Sequence, residues 1–178
     1  MEFIKKNPKI FIISGKARSG KNEVSKLIKK YYSNKKSITI SFGHYIKDYA
    51  KRLSNWDGSE ETKPREFLQQ LGIELIKNKI NNKLFINRIL EDIEIFSYFY
   101  DIIVISDARL VDEIEILKQK YSKSICIRVI RNDYDNKLTL KQKNHLTEIA
   151  LDNYNNYDFI IENDSNLEEK IIKILKEV

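Results

Sequence analysis

The sequence predicts an α/β domain in which helices cover both faces of a parallel sheet. Three observations lead there. Five short apolar runs, Lys9–Ser14, Ser37–Ser41, Asp101–Ser106, Ser124–Ile130 and Asp158–Glu162, are mostly unbroken Ile/Val stretches without polar alternation, as strands buried on both faces require. Between them lie longer stretches with apolar residues at helical spacing. The first run also opens into Gly15-Lys16-Ala17-Arg18-Ser19-Gly20-Lys21, a G-x-x-x-x-G-K pattern held between a strand and a helix.

That loop is the first candidate site. Glycines let the backbone wrap so that successive N–H groups point inward, and the helix that follows adds its positive end. Gly15, Lys16, Ala17, Arg18, Ser19, Gly20, Lys21, Asn22 and Glu23 therefore read as the binding segment for a nucleotide's phosphates, with Lys21 on the outer ones. A Ser or Thr that ligates Mg²⁺ normally follows the lysine. Here the residue is Asn22, whose amide oxygen can still bind a hard cation directly or through water.

At 178 residues the chain is expected to form one domain with a full core. No apolar run approaches the roughly 20 residues of a membrane span, and no signal-peptide core is evident. The single cysteine, Cys126, lies in an apolar run, which predicts no disulfide and a reducing, cytoplasmic setting. A net charge of +6 invites a nucleic-acid reading. The lysines, however, are scattered among nearly as many acids, and the basic pairs Lys5-Lys6, Lys29-Lys30 and Lys35-Lys36 sit at element ends. A solvated surface is the expectation, and nucleic acid is not the expected partner.

Taken in order, the helix after the loop presents Val24, Leu27, Ile28 and Tyr31. After the second strand a helix carries Tyr45, Ile46, Tyr49, Ala50 and Leu53 on one face, with Lys47, Asp48 and Lys51 more polar. Asn55–Ser59 reads as a loop. Thr62 and Pro64 start a helix with Phe67, Leu68, Leu71, Leu75 and Ile76 inward, followed by one with Phe85, Ile86, Ile89, Leu90, Ile93 and Phe96. This is more than a minimal crossover requires, and residues 43–98 are a natural place for a second substrate.

The third strand delivers Ser106-Asp107-Ala108-Arg109. An acid after an apolar strand is the arrangement that holds Mg²⁺ or its water shell; the alternative is that Asp107 caps the following helix, which carries Leu110, Ile114, Leu117 and Tyr121. Arg109 would lie near the phosphates. The fourth strand ends at Arg131-Asn132-Asp133, and a polar stretch follows, so residues 131–147 read as a lid. Arg128 and Arg131 are the candidates to neutralise a transferring phosphoryl group; Arg128 could equally pair with an acid at the sheet edge. His145 beside Glu148 has no second histidine at ligand spacing and reads as structural. Asn163, after the last strand, is a candidate for contact with the nucleotide base. The final helix presents Leu167, Ile171, Ile174, Leu175 and Val178.

These blocks, in series, resemble a known family. Ser14 to Lys21, Ile46-Lys47-Asp48, Arg65-Glu66-Phe67-Leu68-Gln69-Gln70-Leu71-Gly72, Ser106-Asp107-Ala108-Arg109 with Asp112-Glu113, and His145-Leu146-Thr147-Glu148 followed by 158–167 are similar to the bacteriophage-type deoxynucleoside monophosphate kinases. That family also lacks Ser or Thr after the loop lysine, usually having Asp where this chain has Asn22. The chain is shorter than the phage enzymes, chiefly between the second and third strands. The resemblance implies a P-loop kinase domain over 1–178, a strand order 2-3-1-4-5, ATP as donor, Mg²⁺, and a deoxynucleoside monophosphate as acceptor.

The expectation is then a phosphotransferase. Lys21, Arg109, Arg128 and Arg131 act on the transferring group. Asn22 and Asp107 position Mg²⁺, and Lys47, Asp48, Arg65, Gln69 and Asp107 line the acceptor site, with Arg65 on its phosphate. Such transfer needs positioning and charge stabilisation more than a strong base. A same-fold kinase acting on dephospho-coenzyme A, a ribonucleotide or another phosphorylated metabolite is the alternative, and a nucleotide-binding switch without an acceptor is another. The base preferred, and whether the chain forms a homodimer, stay open at this stage.

Overall fold

The computed structural model describes residues 2–132, 134 and 137–178; Asp133, Asp135 and Asn136, within the expected lid, lie outside the described residues. Five parallel strands, β1 (Lys9–Ser14), β2 (Ser37–Ile40), β3 (Ile102–Ala108), β4 (Ile125–Ile130) and β5 (Phe159–Glu162), form one sheet in the order 2-3-1-4-5. In β1 alternate side chains enter different cores. Ile10 and Ile12 join Ile89, Ile93, Ile103, Ile105, Ile114 and Leu117, whereas Phe11 and Ile13 join Val24, Ile28, Val104, Ile127, Ile171 and Ile174. Both faces of the sheet are thus covered, which is why the strand carries no polar alternation. Helices α1 (Lys21–Tyr31) and α8 (Leu167–Glu177) contribute to the second core; α4 (Leu84–Phe96) and α5 (Val111–Lys120) contribute to the first.

Strands β3, β4 and β5 each start one residue later than the sequence reading, and two carboxyl ends differ from it for physical reasons. β2 stops at Ile40 because Ser41 takes the extended N-cap position of α2 (Phe42–Leu53). β3 runs on to Ala108, because β1 shifts register after Ile12 and pairs Ser14 with Ala108. Asp107 is therefore the penultimate residue of a strand. With β3 on one side of β1 and β4 on the other, the crevice in which such sheets bind ligands opens beyond the carboxyl end of β1.

The insertion between β2 and β3 has its own small core. Ala50 of α2, Trp56, Leu71 and Ile76 pack with Ile46, Phe67 and Leu68. A short α3 (Arg65–Gln69) runs directly into a π-type helix, Gln70–Ile80, closed by an Asn81 N–H that donates to the Ile76 carbonyl five residues back. The wider winding corrects one expectation. A 3.6-residue period brings Leu71, Leu75 and Ile76 inward together, but here Leu71, Gly72 and Ile76 are buried and Leu75 is 43% exposed. At Gly72 a Cβ would stand 3.0 Å from Ile46 Cδ1, so the glycine lets this helix lie close against α2. Two one-turn helices, α6 (Leu140–Lys143) and α7 (Leu146–Ile149), precede β5.

Candidate active site

The loop after β1 takes its shape from backbone that side chains resist. Gly15 (φ +152°) and Gly20 (φ +104°) lie in glycine's territory, and Arg18 is left-handed at φ 60°. A Cβ on Gly15 would come 2.5 Å from the Val129 carbonyl oxygen, and one on Gly20 would come 2.0 Å from Asn163 Nδ2. Asn163 explains the second clash: its amide donates to the Ser19 carbonyl at 2.9 Å. The residue expected at the base thus braces the loop.

Lys21, the first residue of α1, is buried. Its ammonium donates to the carbonyls of Gly15 (2.8 Å) and Lys16 (2.6 Å). Burial, followed by the nearby Arg109 guanidinium, lowers its pKa to about 7, against the upward pull of Asp107 and Glu148. The Ala17 N–H donates to Glu148 Oε2 at 2.8 Å, the Ala17 carbonyl accepts from the Tyr134 hydroxyl, and Lys16 pairs with Asp152 at 2.8 Å.

A cavity of about 520 Å³, within the usual range for a small-molecule site, opens from this loop. Of the residues expected from the sequence, Ala17, Arg18, Gly20, Lys21, Asn22, Lys47, Arg65, Gln69, Asp107 and Arg109 line it. Gly15, Lys16, Ser19, Glu23, Asp48, Arg128, Arg131 and Asn163 do not. Asp48 faces His44 at 3.6 Å on the outside of α2. Arg128, in β4, stacks over the Tyr157 ring, donates to Ser14 Oγ at 3.4 Å and lies 3.9 Å from Asp152, which corresponds to the acid-pairing alternative. Arg131 stacks over Tyr134, 5.3 Å from ring centroid to guanidinium carbon.

Asp107 accepts the N–H groups of Phe42 and Gly43, each at 2.8 Å. It therefore caps a helix, but the capped helix is α2, across the sheet, and not the helix that follows it. The helix that follows, α5, is capped by Glu113, whose carboxylate accepts from the N–H groups of Arg109 (2.7 Å) and Leu110 (3.0 Å); burial raises the Glu113 pKa to about 8. The same two bonds fix the turn from which Arg109 enters the cavity, where its guanidinium donates to Glu148. His145 is the N-cap of α7, accepting the Thr147 N–H at 3.3 Å.

Beside the expected Lys47 and Arg65, the insertion adds Lys63 and Glu60, which the sequence reading missed. Lys63, Arg65 and Lys47 line the cavity beside Glu60. Glu60 pairs with Lys63 (2.6 Å) and Arg65 (3.3 Å), and first Lys63, then Lys47 and Arg65, hold its carboxyl below the usual range. Lys63 is itself lowered, first by burial and then by Lys47 and Arg65. Three cations share one carboxylate, so the cluster carries an excess positive charge. The run Lys63-Pro64-Arg65 at a helix start was the available signal. The polar stretch after β4 touches these helices: Lys141 pairs with Glu66, and Gln69 Nε2 donates to the Gln142 carbonyl at 3.5 Å.

Mg²⁺ is usually held by one or two protein oxygens, with substrate phosphates and water completing its shell. Asp107 and Asn22, both on the cavity wall, suit that arrangement, since each carboxylate oxygen of Asp107 keeps a lone pair beyond its amide bond. No cluster of three acidic, histidine or cysteine groups able to hold a metal occurs among the described residues.

A parallel sheet of this order, with a glycine loop and buried lysine after β1, defines a P-loop kinase fold. A family model, deoxynucleotide monophosphate kinase, matches residues 41–174; the chain belongs to that family and is a nucleotide kinase by kinship. The match begins after the phosphate loop, so the loop assignment rests on its own residues and geometry. No curated protein sequence matches the chain. Solved structures of similar fold include TT1252 from Thermus thermophilus (15% identity, TM-score 0.53, 97% of this chain and 99% of that one). Shikimate kinase from Aquifex aeolicus is another (14%, 0.51, 94% of each chain). A third is the APS kinase CysC of Mycobacterium tuberculosis in complex with AMPPNP and APS (14%, 0.51, 96% and 97%). At these identities they speak for the fold alone. Among the described residues no helix is long and apolar enough to cross a membrane.

Proposed function

We propose that the protein transfers the terminal phosphoryl group of ATP to a deoxynucleoside monophosphate, giving the diphosphate. One observation carries the reading: a single cavity is lined both by the phosphate loop and by the Lys47, Lys63 and Arg65 cluster, with Arg109 and Asp107 also on its wall. Residues 15–23 hold the donor phosphates, and Lys21 leaves its two loop carbonyls to meet the outer ones. Lys47, Lys63 and Arg65 bind the acceptor's phosphate in place of Glu60, with Arg65 offering a two-pronged guanidinium. Gln69 borders the acceptor.

An acceptor phosphate oxygen forms the new bond to the terminal phosphorus as the bond to the bridging oxygen breaks, and ADP leaves. Charge spreads over the three equatorial oxygens, where Lys21 and Arg109 stabilise it. Mg²⁺, near Asn22 and Asp107, would supply further neutralisation of the donor phosphates. Arg128 and Arg131 support the loop at a distance, Arg128 through Ser14 and Asp152 and Arg131 through Tyr134. The described part of the stretch after β4, which meets the inserted helices through Lys141 and Gln142, acts as the lid.

The test is ADP formation from ATP and Mg²⁺ across deoxynucleoside and ribonucleoside monophosphates, dephospho-coenzyme A, and a control without acceptor. Turnover with one or a few deoxynucleotides is expected. Turnover only with dephospho-coenzyme A or a ribonucleotide would move the protein to that acceptor, and release of phosphate to water alone would make it a switch. Lys63→Met should raise the acceptor KM about tenfold, the effect of one charge-assisted hydrogen bond, and leave the donor KM unchanged; an unchanged acceptor KM would remove the cluster from the acceptor site.

A further inference from the structure

Glu148 makes contacts with the phosphate loop that the transfer reaction does not require. It is buried, 7% exposed, on the one-turn helix α7. One carboxylate oxygen accepts the Ala17 N–H of the phosphate loop at 2.8 Å; the other accepts the Arg109 guanidinium. A loop amide and a cavity arginine are the two kinds of donor that a phosphate would take. They are spanned here by a carboxylate of the same chain. The loop lysine is also occupied from within, since Lys21 is folded onto the carbonyls of Gly15 and Lys16. Ser19 Oγ, in the same loop, is buried with no hydrogen-bond partner, a polar atom left over by this self-contained arrangement.

We propose that Glu148 is a built-in competitor for the donor's phosphate, and that nucleotide enters by displacing it. The proposal rests on the reading of residues 15–22 as a phosphate cradle. A bare inward-pointing amide in a buried loop is costly, and a carboxylate satisfies it at short range. A triphosphate brings more charge and more oxygens than one carboxylate, so it wins the exchange. The exchange then releases Arg109 to the transferring group and frees α7 from Ala17. Donor affinity is reduced by the fraction of molecules in which Glu148 has closed the cradle, and the arginine reaches its working position only when donor is present.

The experiment uses the whole protein and pyrophosphate as the probe, with binding followed by calorimetry in the wild type, Glu148→Gln and Lys21→Ala. Glu148→Gln keeps the shape and removes the charge. It is expected to bind pyrophosphate about tenfold more tightly than the wild type, the shift for a competitor that holds the site closed nine times in ten. In parallel, amide hydrogen exchange in residues 146–149 of the wild type is expected to speed up when pyrophosphate is added. Equal or weaker binding by a folded Glu148→Gln overturns the proposal, as does exchange in α7 that slows on ligand addition. The exchange measurement decides the matter on the wild type alone should the variant not fold. Pyrophosphate binding that is unaffected in Lys21→Ala would overturn the cradle reading itself, which is a different failure.

Discussion

Replacing Lys21 by methionine removes a buried ammonium while keeping most of the side-chain volume, and its effect on stability depends on pH in a way the site geometry dictates. In the folded protein without nucleotide the Lys21 pKa is lowered from 10.5 to about 7, chiefly by burial; unfolding restores the ordinary value. Below about pH 7 both states hold the proton and the full desolvation cost is present. Between pH 7 and 10.5 the folded state has given up the proton and the unfolded state keeps it, so unfolding takes up a proton and stability rises with pH. At about 1.4 kcal/mol per pKa unit, the Lys21 contribution from pH 7 to pH 9 is about 2 kcal/mol, read as the difference between wild type and variant because Glu113, raised to about 8, titrates with the opposite sign in both. For a chain of this size that is roughly 4–8 °C in melting temperature. Lys21→Met has no such gain. At neutral pH the variant loses two hydrogen bonds to loop carbonyls and is relieved of the desolvation cost. The two effects oppose each other, so its stability stays close to the wild type while phosphoryl transfer is lost. Thermal melts of both proteins, free of nucleotide, at the two pH values test this. Curves that run parallel from pH 7 to pH 9 would refute a buried, deprotonating Lys21, and an active variant would refute its role at the phosphates.

Arg109→Met should lower kcat by roughly two to three orders of magnitude, the usual cost of losing one preorganised donor to a charged transition state; a kcat within threefold of wild type at saturating substrates would dismiss Arg109 from the transfer step. Gly20→Ala places a methyl at φ +104° and 2.0 Å from the Asn163 amide, and a loss of about 1–3 kcal/mol in denaturant unfolding is expected from the backbone alone. Adding Asn163→Ala removes the clash and not the strain, and also gives up the bond to the Ser19 carbonyl, so the double variant stays less stable than wild type. A fully restored midpoint would show that the left-handed conformation carries no cost.

What the sequence determined by itself was whatever is encoded in neighbours along the chain. Unbroken Ile/Val runs specify strands buried on both faces, and the spacing of Gly15, Gly20 and Lys21 specifies a loop between strand and helix. The blocks quoted for the family resemblance specify kinship, which the family match over residues 41–174 upholds. The tertiary structure decided what depends on residues far apart. Asp107 caps α2 because pairing of β3 with β2 and β1 sets its carboxylate against Phe42 and Gly43. Asn163 braces Ser19 across 144 positions of sequence, and Arg128, however suited to phosphate in type, turns to Ser14, Asp152 and Tyr157. The π winding of Gln70–Ile80 moved Leu75 out of the core, since periodicity assumes a pitch that packing can change. Glu148 stood in one of the blocks quoted for the family resemblance, but nothing in its own neighbourhood gave its partners. Its place against Ala17 and Arg109 arises only when α7 folds back over the carboxyl end of β1, and a carboxylate's role follows from the donors that surround it.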